Sequence, residues 1–244
     1  KEDVKMEHGT KQNAAAWAKV YQTSSFGNRY PTDGLVSLYY HFIKKDLENR
    51  SHPVKVLDFG CSHGANAAFF SELGFDVYGI DISKDAVDCC IVTHGFDKSR
   101  FRACDLLGDH LSVRELFGTF DLIIASECLY YFSQADFETL LLNFEDCMKE
   151  HAVIYANMHT WNHPLYRDYQ HTPANAEGLV EIPASGTAAL PLQVRIVADK
   201  HQMRQLFHRF EETAVVRSIL ELESECETLH FIGKKKTKTK PRCI

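Results

Sequence analysis

The chain has no run of eighteen apolar residues, which leaves no segment fit to cross a membrane as a helix. Its first ten residues, K-E-D-V-K-M-E-H-G-T, hold no apolar core of a secretory leader, and Met6 is the expected native start. The eight cysteines include the adjacent pair Cys89 and Cys90 but no C-x-x-C motif and no spaced framework. That usage predicts reduced thiols in a cytoplasmic protein rather than a disulfide scaffold. There is no internal repeat. A basic surface is also missing, because net charge is −6 and six cations crowd the end: Lys234, Lys235, Lys236, Lys238, Lys240 and Arg242. Without those six the body stands at −12, which argues against a nucleic-acid groove. The basic tail, 235–244, reads as a solvated end, and Cys243, next to last, excludes a prenylation box.

What is present is enough apolar material, 45% of 244 residues, to bury a full α/β core with decorations. The organising stretch runs from Val54 to Ser83. It reads as a buried strand over Val54–Asp58, a glycine turn, a helix about Asn66–Leu73 and a second strand over Phe75–Ile80. Gly74 supplies the left-handed stop that a helix C-terminus favours. The turn Gly60-Cys61-Ser62-His63-Gly64 lies at a helix N-terminus, where backbone N–H groups and the dipole receive a ligand. Asp81 follows Gly60 by about twenty residues, the spacing at which a second-strand carboxylate meets ribose hydroxyls. A nucleoside cofactor is expected.

The G-x-G-x-x-G fingerprint of dinucleotide sites is absent. In its place stands Asp58-x-Gly60-x-Ser62-x-Gly64, with an acid that repels a pyrophosphate and suits a cation. This pattern resembles the D-x-G-x-G-x-G signature of class I S-adenosylmethionine-dependent methyltransferases of the small-molecule type. Ser62 departs from it, standing where the family has its second glycine; its Cβ demands φ below zero or a strained turn. The resemblance implies a doubly wound, Rossmann-like, seven-stranded sheet closed by a C-terminal antiparallel hairpin. It also implies S-adenosyl-L-methionine as cofactor, with Asp58, Gly60, Cys61, Ser62, Gly64, Asn66, Asp81, Ile82, Asp105 and Leu106 around it. Asp105, after a short strand over Phe101–Cys104, is the acid that the family aims at the adenine amino group; as a plain residue it also suits an N-terminal cap.

Around this core the chain reads as a helical lid segment (1–50), the cofactor-binding domain (51–234) and the tail. Helices are expected about Asn13–Gln22 and about Leu35–Glu48. Tyr21, Arg29 and the dipeptide Tyr30-Pro31 are positioned to cover the cofactor, and Tyr21 and Arg29 count among its contacts. A second helix, Lys84–Thr93, ends at Gly95. Phe120–Ala125 is an apolar central strand, and the following loop offers Ser126, Glu127 and Tyr130 to cofactor and acceptor. A helix over Phe137–Lys149 and a strand over Ala152–Asn157 lead into a long loop, 158–180, read as a substrate-selecting flap. A strand over Leu192–Val197, a helix about Lys200–His208 and a hairpin of Glu212–Leu222 with Thr228–Lys234 complete the order.

The expected reaction is methyl transfer to an oxygen or nitrogen of a small acceptor. An N-P-P-Y motif of nucleic-acid amino methylation is absent after the fourth strand, where S-E-C-L stands. Glu127, His159 and His163 are the candidates for a base that strips the acceptor's proton. His159 and His163 are four apart, but Pro164 and the loop context speak against a helical metal pair, and no metal is expected. Cys61, Cys104 and Cys128 read as pocket lining. The competing readings are a protein or other macromolecule methyltransferase and a non-catalytic member that only binds the cofactor.

Overall fold

The computed structural model describes residues 30–184, 191–221 and 225–237, together with positions 13, 16, 17 and 19. Seven strands form one sheet: β1 (Lys55–Phe59), β2 (Asp76–Asp81), β3 (Phe101–Ala103), β4 (Phe120–Ala125), β5 (Met148–His159), β8 (Phe210–Glu221) and β9 (Glu225–Lys235). Their order is β3-β2-β1-β4-β5-β9-β8. The five strands from β3 to β5 are parallel, and β9 and β8 close the edge antiparallel. The expected Rossmann-like sheet and its terminal hairpin are both there. Strand order reverses between β1 and β4, which opens a crevice at their carboxyl ends where ligands bind in such sheets.

Helices cover both faces because the central strands are apolar on both. Leu122 and Ile124 of β4 pack into one core, Ile123 and Ala125 into the other, as the two-residue period of a strand demands. The first core takes α1, which runs Asp33–Leu38, passes through a π turn at Tyr39–Ile43 and ends with Lys44–Leu47. It also takes α2 (Ala65–Glu72) and α3 (Lys84–His94). The second core takes α4 (Val113–Phe117), α5 (Gln134–Cys147) and α6 (Lys200–Leu206). Ser83, Ser112, Ser133 and Asp199 each accept a backbone N–H three residues on and so start α3, α4, α5 and α6. Gly74 and Gly95, at φ +82° and +68°, follow α2 and α3.

Three expectations need correction. The fifth strand extends to His159, two residues past the expected end, because β9 pairs along it from Val153↔Lys234 to His159↔Thr228. His159 and Met158 therefore stand in the sheet and not in the loop. The loop that follows is also shorter than expected. Its end forms β6 (Val180–Ile182), which pairs with β7 (Leu192–Val194) as a separate small antiparallel sheet. Residues 195–197, expected as strand, fall outside β7. The basic tail beyond residue 237 lies outside the described residues.

At the amino end of the sheet Asp121 is fully buried. It accepts from the Lys55 backbone N–H (3.0 Å), His52 Nε2 (2.9 Å) and Lys149 Nζ (2.7 Å). Burial pushes its carboxyl up, but these donors outweigh burial and hold it below the usual range. Removing one partner of such a set strands the rest. Asp121→Ala is therefore expected to lose about 3 kcal/mol of unfolding free energy at pH 7 in urea titration. A depressed carboxyl contributes above its unfolded pKa of about 4. The gap between parent and variant should thus narrow as pH falls through the lower folded value.

Candidate functional site

After Asp58 and Phe59 the chain turns through three left-handed residues: Gly60 (φ +74°), Ser62 (φ +48°) and Gly64 (φ +85°). Ser62 takes the strained option that its Cβ left open. Its backbone N–H donates to Asp81 Oδ2 at 2.9 Å, and Ser83 N–H donates to Asp81 Oδ1 at 2.9 Å. Gly60 and Cys61 N–H both donate to the Ile80 carbonyl. The loop is thereby sewn to the end of β2. Gly64 leads into α2 without a side-chain cap.

Beneath this loop lies an electrostatic imbalance. Asp58 is 1% exposed, and neither of its carboxylate oxygens has a well-aligned hydrogen-bond donor among the described residues. Burial and the nearby Asp81 charge push its pKa up to about 7, while the Ala67 backbone N–H pulls the other way. Asp81 is also buried, and burial raises it against the Ser83 and Ser62 N–H groups. Ile82 lies beside it, 42% exposed, on the same carboxyl edge. Asp105 closes the turn after β3, accepting from Leu107 N–H (3.2 Å) and Gly108 N–H (2.9 Å). Leu106 beside it is buried.

The loop after β4 carries a second cluster. Glu127 holds φ +57°, a costly value for a residue with a side chain. Asn157 of β5 fixes it from both sides: Oδ1 accepts the Glu127 backbone N–H at 2.7 Å, and Nδ2 donates to Glu127 Oε1. Tyr130 O–H donates to Glu127 Oε2 at 3.0 Å, and His159 Nε2 lies 2.9 Å from the same oxygen. Thr228 Oγ1 stands 3.4 Å from His159 Nδ1. The His163 ring lies 4.1 Å from that of His159, with Tyr166 beyond it. Burial opposes ionisation of Glu127, but the His159 charge and the His159, Asn157 and Tyr130 hydrogen bonds bring its pKa down to about 2. Burial and the His159 charge lower His163 to about 4. The structure thus gathers Glu127, His159 and His163, although a carboxylate this acidic takes up a proton poorly.

The segment ahead of β1 ties onto both clusters. Thr32 N–H donates to Asn66 Oδ1 (3.1 Å), and Thr32 Oγ1 lies 3.2 Å from Ser126 Oγ. Asn13 Nδ2 donates to the Tyr131 carbonyl, and Trp17 sits edge-on to the Tyr131 ring. Gly34 rests on the His230 imidazole, so closely that a Cβ there would come within 2.6 Å of Cε1. His230 is held by Tyr155 O–H (2.9 Å) and Ser218 Oγ (2.7 Å). Tyr21 and Arg29 lie outside the described residues. Cys128 donates its thiol to the Phe59 carbonyl, and Cys61 is buried against Gly79. Asn157, Thr228, His230 and Thr32 escaped the sequence reading. The one signal among them was a polar residue, Asn157, inside the apolar run A-V-I-Y-A-N.

A methyltransferase-domain family model matches residues 32–213. The chain belongs to this methyltransferase family. An uncharacterized methyltransferase of Schizosaccharomyces pombe is 29% identical over 116 residues, covering 47% of this chain and 79% of its own. A Methanosarcina mazei SAM-dependent methyltransferase shares the fold at TM-score 0.62 and 18% identity, covering 78% of this chain and 96% of its own. The N-methyltransferase NodS of Bradyrhizobium japonicum, solved with S-adenosyl-L-homocysteine, gives TM-score 0.62 and 14% identity over 92% and 100%. The methyltransferase has the class I, Rossmann-like fold, whose cofactor is S-adenosylmethionine. Its residues fit that cofactor: two buried carboxylates, one with orphaned oxygens, are an anionic cradle for a sulfonium and an ammonium.

The orphaned acid has a measurable cost. Ionised Asp58 opposes folding above its raised pKa, so Asp58→Asn should raise the ligand-free melting temperature by about 4 °C or more at pH 8. By pH 4, where the parent's folded carboxyl is protonated, scanning calorimetry should show the gain gone. The Gly34–His230 contact has a cost of its own: Gly34→Val should loosen the Thr32 ties, read as faster amide exchange at Thr32 and Asn66.

Proposed function

We propose that this methyltransferase moves the methyl group of S-adenosylmethionine to an oxygen or nitrogen of a small-molecule acceptor. The observation that carries the reading is the Glu127–Asn157–Tyr130–His159 cluster, which stands beside the cofactor cradle and under the tied-down N-terminal segment. An acidic site with aromatic neighbours suits a small acceptor better than a polyanionic one. NodS, an N-methyltransferase of the same fold, agrees with it.

In this reading the loop Gly60, Cys61, Ser62 and Gly64, with Asn66, cradles the cofactor's amino-acid half. Asp58 answers its positive charge and Asp81 its ribose. Ile82 and Leu106 flank the adenine and Asp105 meets its amino group. Ser126, Glu127 and Tyr130 face the transferable methyl, and Tyr21 and Arg29 belong to a lid formed by residues 1–50 over a domain of 51–234. When bound, the cofactor supplies an already activated methyl. The chain's work is then to hold the nucleophile in line and exclude water, and orientation of this kind is worth about 7–11 kcal/mol. Asp58 holds the positive charge before transfer.

Two measurements test this. Asp81→Ala should bind S-adenosylhomocysteine about 10–100-fold more weakly by calorimetry, the worth of hydrogen bonds to a charged group. Incubating the parent with S-adenosylmethionine and a panel of small phenols, carboxylates, alcohols and amines should give a singly methylated product by mass spectrometry. Methylation of proteins or RNA alone, with the whole panel untouched, would overturn the small-acceptor reading.

A further inference from the structure

Resting on that proposed function, we infer that the acceptor is an amine, which Glu127 receives as a fixed anion facing the nitrogen that gains the methyl. The geometry carries this. Three donors hold Glu127: Asn157 Nδ2 on Oε1, and Tyr130 O–H and His159 Nε2 on Oε2. Its backbone is pinned by Asn157 as well. The side chain is nevertheless 35% exposed, whereas that of His159 is 8% exposed and lies behind it. The Glu127 carboxylate is therefore the more exposed member of the pair, and His159, in β5, is the buried one. Tyr130, His163 and Tyr166 pack ring to ring around His159 and so hold the donor side of the cluster in place.

Charge development separates the possible nucleophiles. When an amine attacks, its lone pair forms the new N–C bond, the sulfur keeps the C–S electron pair, and positive charge appears on the nitrogen. A preorganised carboxylate stabilises that charge. An amine that arrives as ammonium first gives one proton to water to free its lone pair, and after transfer the methylated nitrogen gives its N–H proton to water. A phenolate or carboxylate acceptor would instead bring a second anion against Glu127. A neutral hydroxyl would need a base, and neither an acid already ionised at low pH nor a histidine that is hard to protonate is suited to that.

The test uses the full chain loaded with S-adenosylhomocysteine and a cation that resembles the methylated product, benzyltrimethylammonium. By calorimetry it should bind at least 10-fold tighter than neutral neopentylbenzene. Glu127→Gln, which keeps the Asn157 and Tyr130 contacts within reach, should lose at least 10-fold in affinity for the cation and none for the neutral compound. In turnover, small amines should be methylated, with kcat falling about 100-fold in Glu127→Gln. Equal binding of cation and neutral analogue, or an unchanged Glu127→Gln, overturns the inference, and the parent comparison decides it even if the variant does not fold. Methylation of phenols with amines ignored sinks the amine while leaving small-acceptor transfer standing. If no small compound is methylated the proposed function fails, and the cation arm still judges Glu127.

Discussion

The whole carboxyl edge of this sheet depends on one carboxylate accepting two backbone N–H groups. Asp81 holds Ser62 on one oxygen and Ser83 on the other, so a single side chain fixes the cofactor loop and the start of α3 relative to β2. A serine in the left-handed region costs free energy that a glycine would not. The charge-assisted bond to Asp81 offsets that cost. Asp81 engages both oxygens with backbone N–H groups, whereas neither oxygen of Asp58 has a well-aligned donor among the described residues.

The second cluster follows the same logic with the opposite outcome. Glu127 also sits in a strained backbone conformation beside a strand end, but it is fully furnished with donors, and its acidity rises where that of Asp58 falls. Two carboxylates on neighbouring strands are thus set apart by their environments: Asp58 is raised to about 7 and Glu127 lowered to about 2. The difference lies in Asn157 and His159, which β5 delivers only because β9 pairs with it to its very end.

The N-terminal segment joins the two. Thr32 touches Asn66 at the cofactor loop and Ser126 after β4, and α1 is seated by Gly34 on His230 of the terminal hairpin. Strand β9, last in the chain, therefore sets the position of a segment near its beginning. Among the described residues no helix is long and apolar enough to cross a membrane, and no three His, Cys, Asp or Glu groups converge as metal ligands.

The strands and helices of the central βαβ stretch were legible in the linear chain, because periodicity and glycine stops are local properties, and the resemblance carried by Asp58–Gly64 implied the Rossmann-like sheet with its terminal hairpin. Glu127, His159 and His163 were legible as residue types but not as a constellation. His159 looked like a loop residue until antiparallel pairing with Thr228 carried it into the sheet. Asn157 showed only as a polar residue in an apolar run, and Thr228 and His230 had no local signature, since a polar residue inside a strand declares its partner only when another strand arrives. The order of elements is written in neighbours along the chain. The protonation of Asp58 and Glu127 was decided by tertiary structure alone, because burial and donor count depend on residues tens of positions away.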